Sequence, residues 1–112
     1  PARMALDLPS LDLTEIGQLN FCKPDHDRFP CLNLGYESLR IGGTMPAAMN
    51  AANEIAVDAF LNHGLRFSEI PQVIRSTMEA HAHQEITCLD DALEVDRWAR
   101  EKAESLVHAL PR

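Results

Sequence analysis

Glycine-rich phosphate loops are missing from this chain of 112 residues: its five glycines make no GxGxxG and no GxxxxGK[ST] stretch. The one adjacent pair, Gly42-Gly43, follows a helical pattern, so backbone amides are not gathered to cradle a phosphate. Cysteine is scarce as well. Cys22, Cys31 and Cys88 form no CxxC pair and leave an odd one over, which argues against a disulfide framework and for a reduced, cytoplasmic setting. Positive charge is short: ten Lys and Arg face seventeen Asp and Glu, a formal net charge of −7. That balance disfavours both a nucleic-acid backbone and an anionic membrane surface. No apolar run is long enough to span a bilayer, no GxSxG elbow occurs, and no Cys-His pair has a recognisable local context. Aromatic residues are few, and Trp98 and Tyr36 read as packing residues rather than stacking platforms.

What is present reads as one helical domain with an approach segment. Pro1 is not an initiator methionine, and "PARMALDLPSLDL" lacks the basic-then-apolar build of a signal peptide. The expectation is therefore a chain that starts inside a longer polypeptide. Residues 1–29 read as a linker and exit strand from a missing catalytic domain. In it "LDLTEIG" suits a single helical turn before Gly17, and "QLNF" suits a short strand that would need pairing partners from elsewhere. "KPDHDRFP" is dense in turn formers and marks the boundary.

Residues 30–112 read as a C-terminal helical domain. The fold expected is all-α, a small antiparallel four-helix bundle preceded by an extended linker with a short strand. The first helix starts at Pro30 and stops at Gly42-Gly43, with Leu32, Tyr36 and Leu39 as its buried side. Thr44 caps the second, whose inner stripe is Met45, Ala48, Met49, Ala52, Ile55, Ala56, Ala59 and Phe60, and Gly64 supplies its left-handed C-cap. Ser68 caps the third, with Ile70, Val73, Ile74, Thr77 and Met78 inward. The fourth opens on a Thr87–Asp90 capping box and buries Leu89, Leu93, Ala99, Ala103, Leu106 and Leu110, with Trp98 at the stripe's edge.

Candidate chemistry is thin. Asp25, His26 and Asp27 share a loop and are acceptable divalent-ion ligands, but turn capping explains the aspartates without a metal. His81 and His83 stand two apart at a frayed helix end and read as surface residues. Met45 and Met49 read as core filler. More telling is "NAANEIAVDAF", a well-patterned helix that keeps Asn50 and Asn53 in its middle although asparagine costs roughly half a kcal/mol there. Asn50 and Glu54 stand one turn apart beside Asn53, with Val57 and Leu61 continuing that side. Mixed amide and apolar character suits a face that docks on another protein segment, where amides satisfy stray backbone groups. The plainer alternative is that all three face water or cap internal turns.

Longer stretches carry a family likeness. "RFPCLNLGYESLRIGGTMPAAMNAANEIAVDAFL", the following "RFSEIPQVI" and the upstream "DLTEIGQLNF" together resemble the C-terminal region of the 1-deoxy-D-xylulose 5-phosphate reductoisomerase family. The resemblance implies a parent oxidoreductase of non-mevalonate isoprenoid biosynthesis that rearranges its substrate and reduces it with NADPH, using Mg2+ or Mn2+. It implies an N-terminal NADPH-binding domain, a central catalytic domain and a C-terminal helical domain, working as a homodimer. No position of this chain matches the family's catalytic, cofactor or metal residues, so none is assigned here. The chain is then expected to be inactive alone and to partner the upstream domains of its own polypeptide, without nucleic acid or membrane. A different class of function, a self-standing helical interaction module, predicts no upstream domains; a small metal protein predicts stoichiometric bound metal.

Overall fold

Helix α3 (Met45–Leu61) is the element that each of the other long helices touches. The computed structural model describes residues 7–110. A single turn, α1 (Leu13–Ile16), and α2 (Cys31–Ile41) precede α3; a short 3-10 turn (Phe67–Glu69), α4 (Ile70–Ala80) and α5 (Leu89–Ala109) follow it. Helix α3 packs most extensively on α5, then on α4 and α2, while α4 also meets α2 and α5. The all-α class stands. The short strand does not: Gln18–Phe21 belongs to no strand, and no strand occurs among the described residues. Extended backbone needs a ladder partner to become a strand, and residues 7–29 lie exposed with none beside them.

Helix α3 forms because it is alanine-rich and carries Pro46 in its opening turn, where no backbone donor is lost. Its alanines also set the packing. Ala48 and Ala51 meet Ala99 of α5, and Ala52 and Ala56 share a cluster with Ala103, all fully buried. Larger side chains fill the other side of α3: Leu34 from α2, Leu65, and Ile70, Val73, Ile74 and Met78 from α4. The expected α4 stripe is thus buried throughout, including Thr77, whose hydroxyl donates to the Val73 carbonyl at 2.9 Å and so leaves no unpaired polar group.

Helix α2 turns a different side inward from the one its large residues suggest. Leu32, Tyr36 and Leu39 are 41%, 52% and 70% exposed, whereas Leu34 and Ser38 are buried. Ser38 can go inward because its hydroxyl donates to the Gly35 carbonyl at 2.9 Å and so leaves no unpaired polar group. On α5 the outer part of the expected stripe also fails, since Leu89 and Leu93 are exposed. Phe60 sits at the rim of α3 and meets Phe67 edge-on, with centroids 5.9 Å apart.

The helix ends hold further corrections. Helix α3 closes with Asn62 at the C-cap; His63, at φ 58°, occupies the left-handed position, and Gly64 is one residue further on. The His63 N–H donates to Phe60 O at 3.1 Å and the Gly64 N–H to Ala59 O at 2.8 Å, the double bond pattern of a Schellman end. Because a left-handed non-glycine residue is strained, His63→Gly should raise stability by about 0.5–1 kcal/mol, read from chemical denaturation. An unchanged midpoint would show that His63 carries no strain.

Ser68 caps nothing; the Glu69 carboxylate accepts the Arg66 N–H at 2.8 Å and pairs with the Arg66 guanidinium. At the start of α5 the capping acid is Asp91, not Asp90. Asp91 accepts the Thr87 N–H, the Thr87 hydroxyl and the Cys88 N–H at 2.7, 2.8 and 3.0 Å. Those donors, the Thr87 amide first, hold its carboxyl down at about 2.

Thr44 is buried at the α2–α3 corner, but its side chain does not cap α3. Instead it grips the connector between α4 and α5. The Thr44 N–H donates to Gln84 O at 2.9 Å, the Gln84 N–H donates to Thr44 Oγ1 at 3.1 Å, and Thr44 Oγ1 lies 2.8 Å from His81 Nε2. Gly43, at φ 49°, lets the two segments approach this closely: a Cβ there would overlap the Gln84 carbonyl oxygen and the His83 ring.

Candidate functional site

The amide-and-carboxylate face of α3 exists, and part of it is already engaged. Asn50 Nδ2 donates to Glu54 Oε1 at 3.0 Å, the one-turn reach that i,i+4 spacing provides. From α5, Arg100 Nη2 donates to Glu54 Oε2 at 2.6 Å while its Nε donates to Asp96 Oδ2 at 2.8 Å. Hydrogen bonds from Arg100 and then Asn50 hold the Glu54 carboxyl below its usual range; Asp96 and then Glu54 push the Arg100 guanidinium up. Both Asn50 and Glu54 are exposed, so this network ties α3 to α5 at the surface. Such ties are individually weak in water.

Asn53 behaves differently. It is half-buried, and its amide forms no hydrogen bond among the described residues. Val57 and Leu61 continue outward from it, both exposed. The three residues therefore divide: Asn50 and Glu54 serve an internal tie, and Asn53 presents free amide donors and an acceptor beside apolar surface. Sequence reasoning missed Arg100 and Asp96. Their i,i+4 spacing on α5 was a visible signal for a pair with each other; the reach across to Glu54 was not, because it depends on the α3–α5 packing.

An apolar groove of about 470 Å³ adjoins this face, between α2 and the start of α3, where Leu32, Tyr36, Leu39, Pro46, Met49 and Asn50 line it. A second groove of similar size runs from Phe29 and Leu32 to Phe67 and Ile70. Leu32 borders both.

The remaining candidates resolve into structural roles. Asp25 Oδ1 accepts the Arg28 N–H at 2.9 Å, which closes the turn before α2. No group of three or more His, Cys, Asp and Glu converges as a metal site among the described residues. The three cysteines are free. His81 is not the surface residue expected: half-buried, it bonds Thr44 and lies against Trp98, ring centroids 5.2 Å apart.

Burial, and secondarily the His83 ring, push the His81 pKa below its ordinary 6.5. A neutral ring can accept the Thr44 hydroxyl proton at Nε2, and a protonated ring cannot. Since the folded pKa lies below the unfolded one, stability is full above 6.5 and is lost as pH falls from there through the folded value. The melting temperature should therefore fall as the pH is lowered below about 6.5, and His81→Gln should flatten that fall. An equal slope in the variant would remove His81 from the account.

Comparison with known proteins agrees with this architecture. The sequence profile described as DXP reductoisomerase C-terminal domain matches residues 1–102. The 1-deoxy-D-xylulose 5-phosphate reductoisomerase of Prosthecochloris aestuarii is 51% identical over 106 residues, covering 95% of this chain and 28% of that protein. The enzyme of the same name from Chlorobium phaeobacteroides is 50% identical over 107 residues, covering 96% and 28%. Among solved structures, the Zymomonas mobilis enzyme in complex with NADPH superposes with a TM-score of 0.88 at 41% identity, covering 98% of this chain and 29% of that one. A DOX-P reductoisomerase complex with NADPH, fosmidomycin and magnesium gives 0.82 at 30% identity, covering 96% and 29%. The chain thus spans a little over a quarter of the length of the curated relatives it matches. With its helical core, its profile match and these relatives in agreement, the chain belongs to the family of DXP reductoisomerase C-terminal domains.

Proposed function

We propose that this chain is the structural C-terminal part of an NADPH- and metal-dependent reductoisomerase that converts 1-deoxy-D-xylulose 5-phosphate to 2-C-methyl-D-erythritol 4-phosphate. The observation that carries the reading is the profile match along residues 1–102, together with relatives near 50% identity over almost the whole chain. In this reading residues 1–29 lead in from the catalytic domain and residues 30–112 are the helical domain, with α2–α5 as an antiparallel bundle. The full-length protein works as a cytoplasmic homodimer. NADPH and Mg2+ or Mn2+ belong to the upstream domains. The described residues bring no three candidate ligands to one point, and the sequence holds no glycine-rich nucleotide loop.

The domain's contribution is mechanical. It braces the catalytic domain so that substrate and metal groups keep their places, a role with leverage because a displacement of roughly 1 Å can cost about 100-fold in rate. Asn53, half-buried with an amide unpaired in this chain, is the member of the Asn50, Asn53 and Glu54 set best placed to dock. In the full-length protein Asn53→Ala should lower kcat by about 3- to 10-fold without altering any ligand. Steady-state kinetics and a melting curve test this, and wild-type values in both would remove the docking role. The 112-residue chain alone should consume NADPH only at background when substrate is added, whereas the full-length protein should turn it over.

A further inference from the structure

The connector between α4 and α5, residues 81–88, is fastened to the rest of the bundle through one residue. Residues 82–88 are exposed, and neither core cluster includes any part of the connector. Among the described residues, its hydrogen bonds to distant parts of the chain all end on Thr44. Its remaining bonds stay on its own flanks: the His81 N–H donates to Met78 O, and Thr87 and Cys88 donate to Asp91. A segment held at one polar point outside the core is a unit that can open by itself.

Proton accounting at Thr44 shows what closes it. Thr44 is fully buried, and its hydroxyl has one proton to place. Oγ1 already accepts the Gln84 N–H at 3.1 Å and lies 2.8 Å from His81 Nε2, with no other partner among the described residues. A ring donating from Nε2 would leave the hydroxyl proton unplaced in a buried site, which folded proteins avoid. The hydroxyl therefore donates to Nε2, and the neutral His81 ring carries its own proton on Nδ1.

We infer that His81 is a pH-sensitive latch: protonation at Nε2 unclasps residues 81–88 from Thr44 while the packing of α3, α4 and α5 stays intact. Nε2 cannot hold a proton and accept the Thr44 hydroxyl at once, so the clasped connector admits only the neutral ring. The charged and titratable groups around the ring do not forbid the cation elsewhere. His83 on the connector is its one titratable neighbour there, and α5 contributes Glu94, Arg97 and Glu101 to the cavity beside it. Two carboxylates against one guanidinium leave a released imidazolium facing net negative charge. The start of α3 adds only Thr44, which does not titrate. Release also takes His81 off Trp98, where the ring centroids are 5.2 Å apart, and widens the cavity of about 480 Å³ beside them. The device is thus a local opening of one strap, set by one proton.

Hydrogen-exchange mass spectrometry on the full-length protein tests this, with rates for residues 81–88 divided by the intrinsic amide rates at each pH. A freed connector presents His81 with its ordinary pKa of 6.5, so going from pH about 7.5 to about 5.5 can raise opening by at most about 10-fold. The expected rise is about 3- to 10-fold, confined to residues 81–88, with the buried stripe of α4 unchanged. His81→Gln should abolish the rise, and His83→Gln should keep it. Thr44→Val, which removes the hydroxyl and nearly keeps the shape, should leave the connector open at both pH values. Equal protection of residues 81–88 at the two pH values in the wild type would overturn the inference. So would a rise shared equally by α4, a rise that survives in His81→Gln, or its loss in His83→Gln. Should Thr44→Val fail to fold, the two histidine variants still decide, because neither residue belongs to a core cluster.

Discussion

Gly43→Ala should lower the melting temperature by roughly 12–24 °C, corresponding to about 3 kcal/mol in a domain of this size. Two effects act together at that position. The backbone sits at φ 49°, a conformation that L side chains rarely adopt. The added methyl would also overlap the Gln84 carbonyl oxygen and the His83 ring. Neither neighbour can yield cheaply, because the Gln84 backbone is held on both sides by Thr44: its carbonyl accepts the Thr44 N–H and its N–H donates to Thr44 Oγ1. Moving the connector away would break both bonds and open the buried Thr44 to nothing in exchange. A melting temperature within about 2 °C of wild type would mean that the corner is looser than described. Gly42→Ala is a useful comparison: it too has positive φ but no atom near a built Cβ, so it should show the strain without the collision and a smaller loss.

Ile74→Ala is the second large effect, at about 3–4 kcal/mol. Ile74 is fully enclosed on α4 among Leu34, Val73, Met78 and the α3 alanines. The close-packed surroundings relax only in part into the vacancy, so the loss combines the transfer term with the cavity left behind. Ile74→Val, which removes one methyl, should lose about 1 kcal/mol. Urea denaturation gives both values from the midpoints, provided the slopes agree with wild type. An alanine variant no weaker than the valine variant would show that α4 is not part of the core.

Both effects fall on features that differ in how far the sequence disclosed them. The α4 stripe was legible in full, since its apolar residues fall on one side only and the hydrophobic period has a single solution. Helix α2 was misread for the opposite reason. It carries apolar residues on two sides, and the larger set, Leu32, Tyr36 and Leu39, lies outside while Leu34 and Ser38 go in. Size favoured the wrong side; the hydroxyl of Ser38, satisfied within the helix on the Gly35 carbonyl, lets the smaller side go in, and no hydropathy count registers that. Caps followed the same logic. Thr44, Ser68 and Gly64 are standard capping types at nearly the right places, but Thr44 had a tertiary partner 40 residues away, and Glu69 and His63 took the roles expected of the other two.

The docking set was partly legible. Asn50 and Glu54 were singled out by their spacing and do bond each other, yet Arg100 claims Glu54 from across the α3–α5 contact. Asn53 was recognisable by composition alone as an amide in a helix that gains nothing from it locally. The α2 outer row was visible as a pattern and expected inside, yet the structure leaves Leu32, Tyr36 and Leu39 exposed, because a helix periodicity marks a face without saying which of two faces packs.

The methyl-to-methyl junction of α3 with α5 sets a limit on how this region can change. Ala48, Ala51, Ala52 and Ala56 meet Ala99 and Ala103 with every one of the six fully buried. Enlarging any one of them by a carbon or two has to wedge the pair apart along its length. Replacement by glycine would instead weaken the helix, so alanine at these positions holds the two rods at the spacing across which Arg100 reaches Glu54.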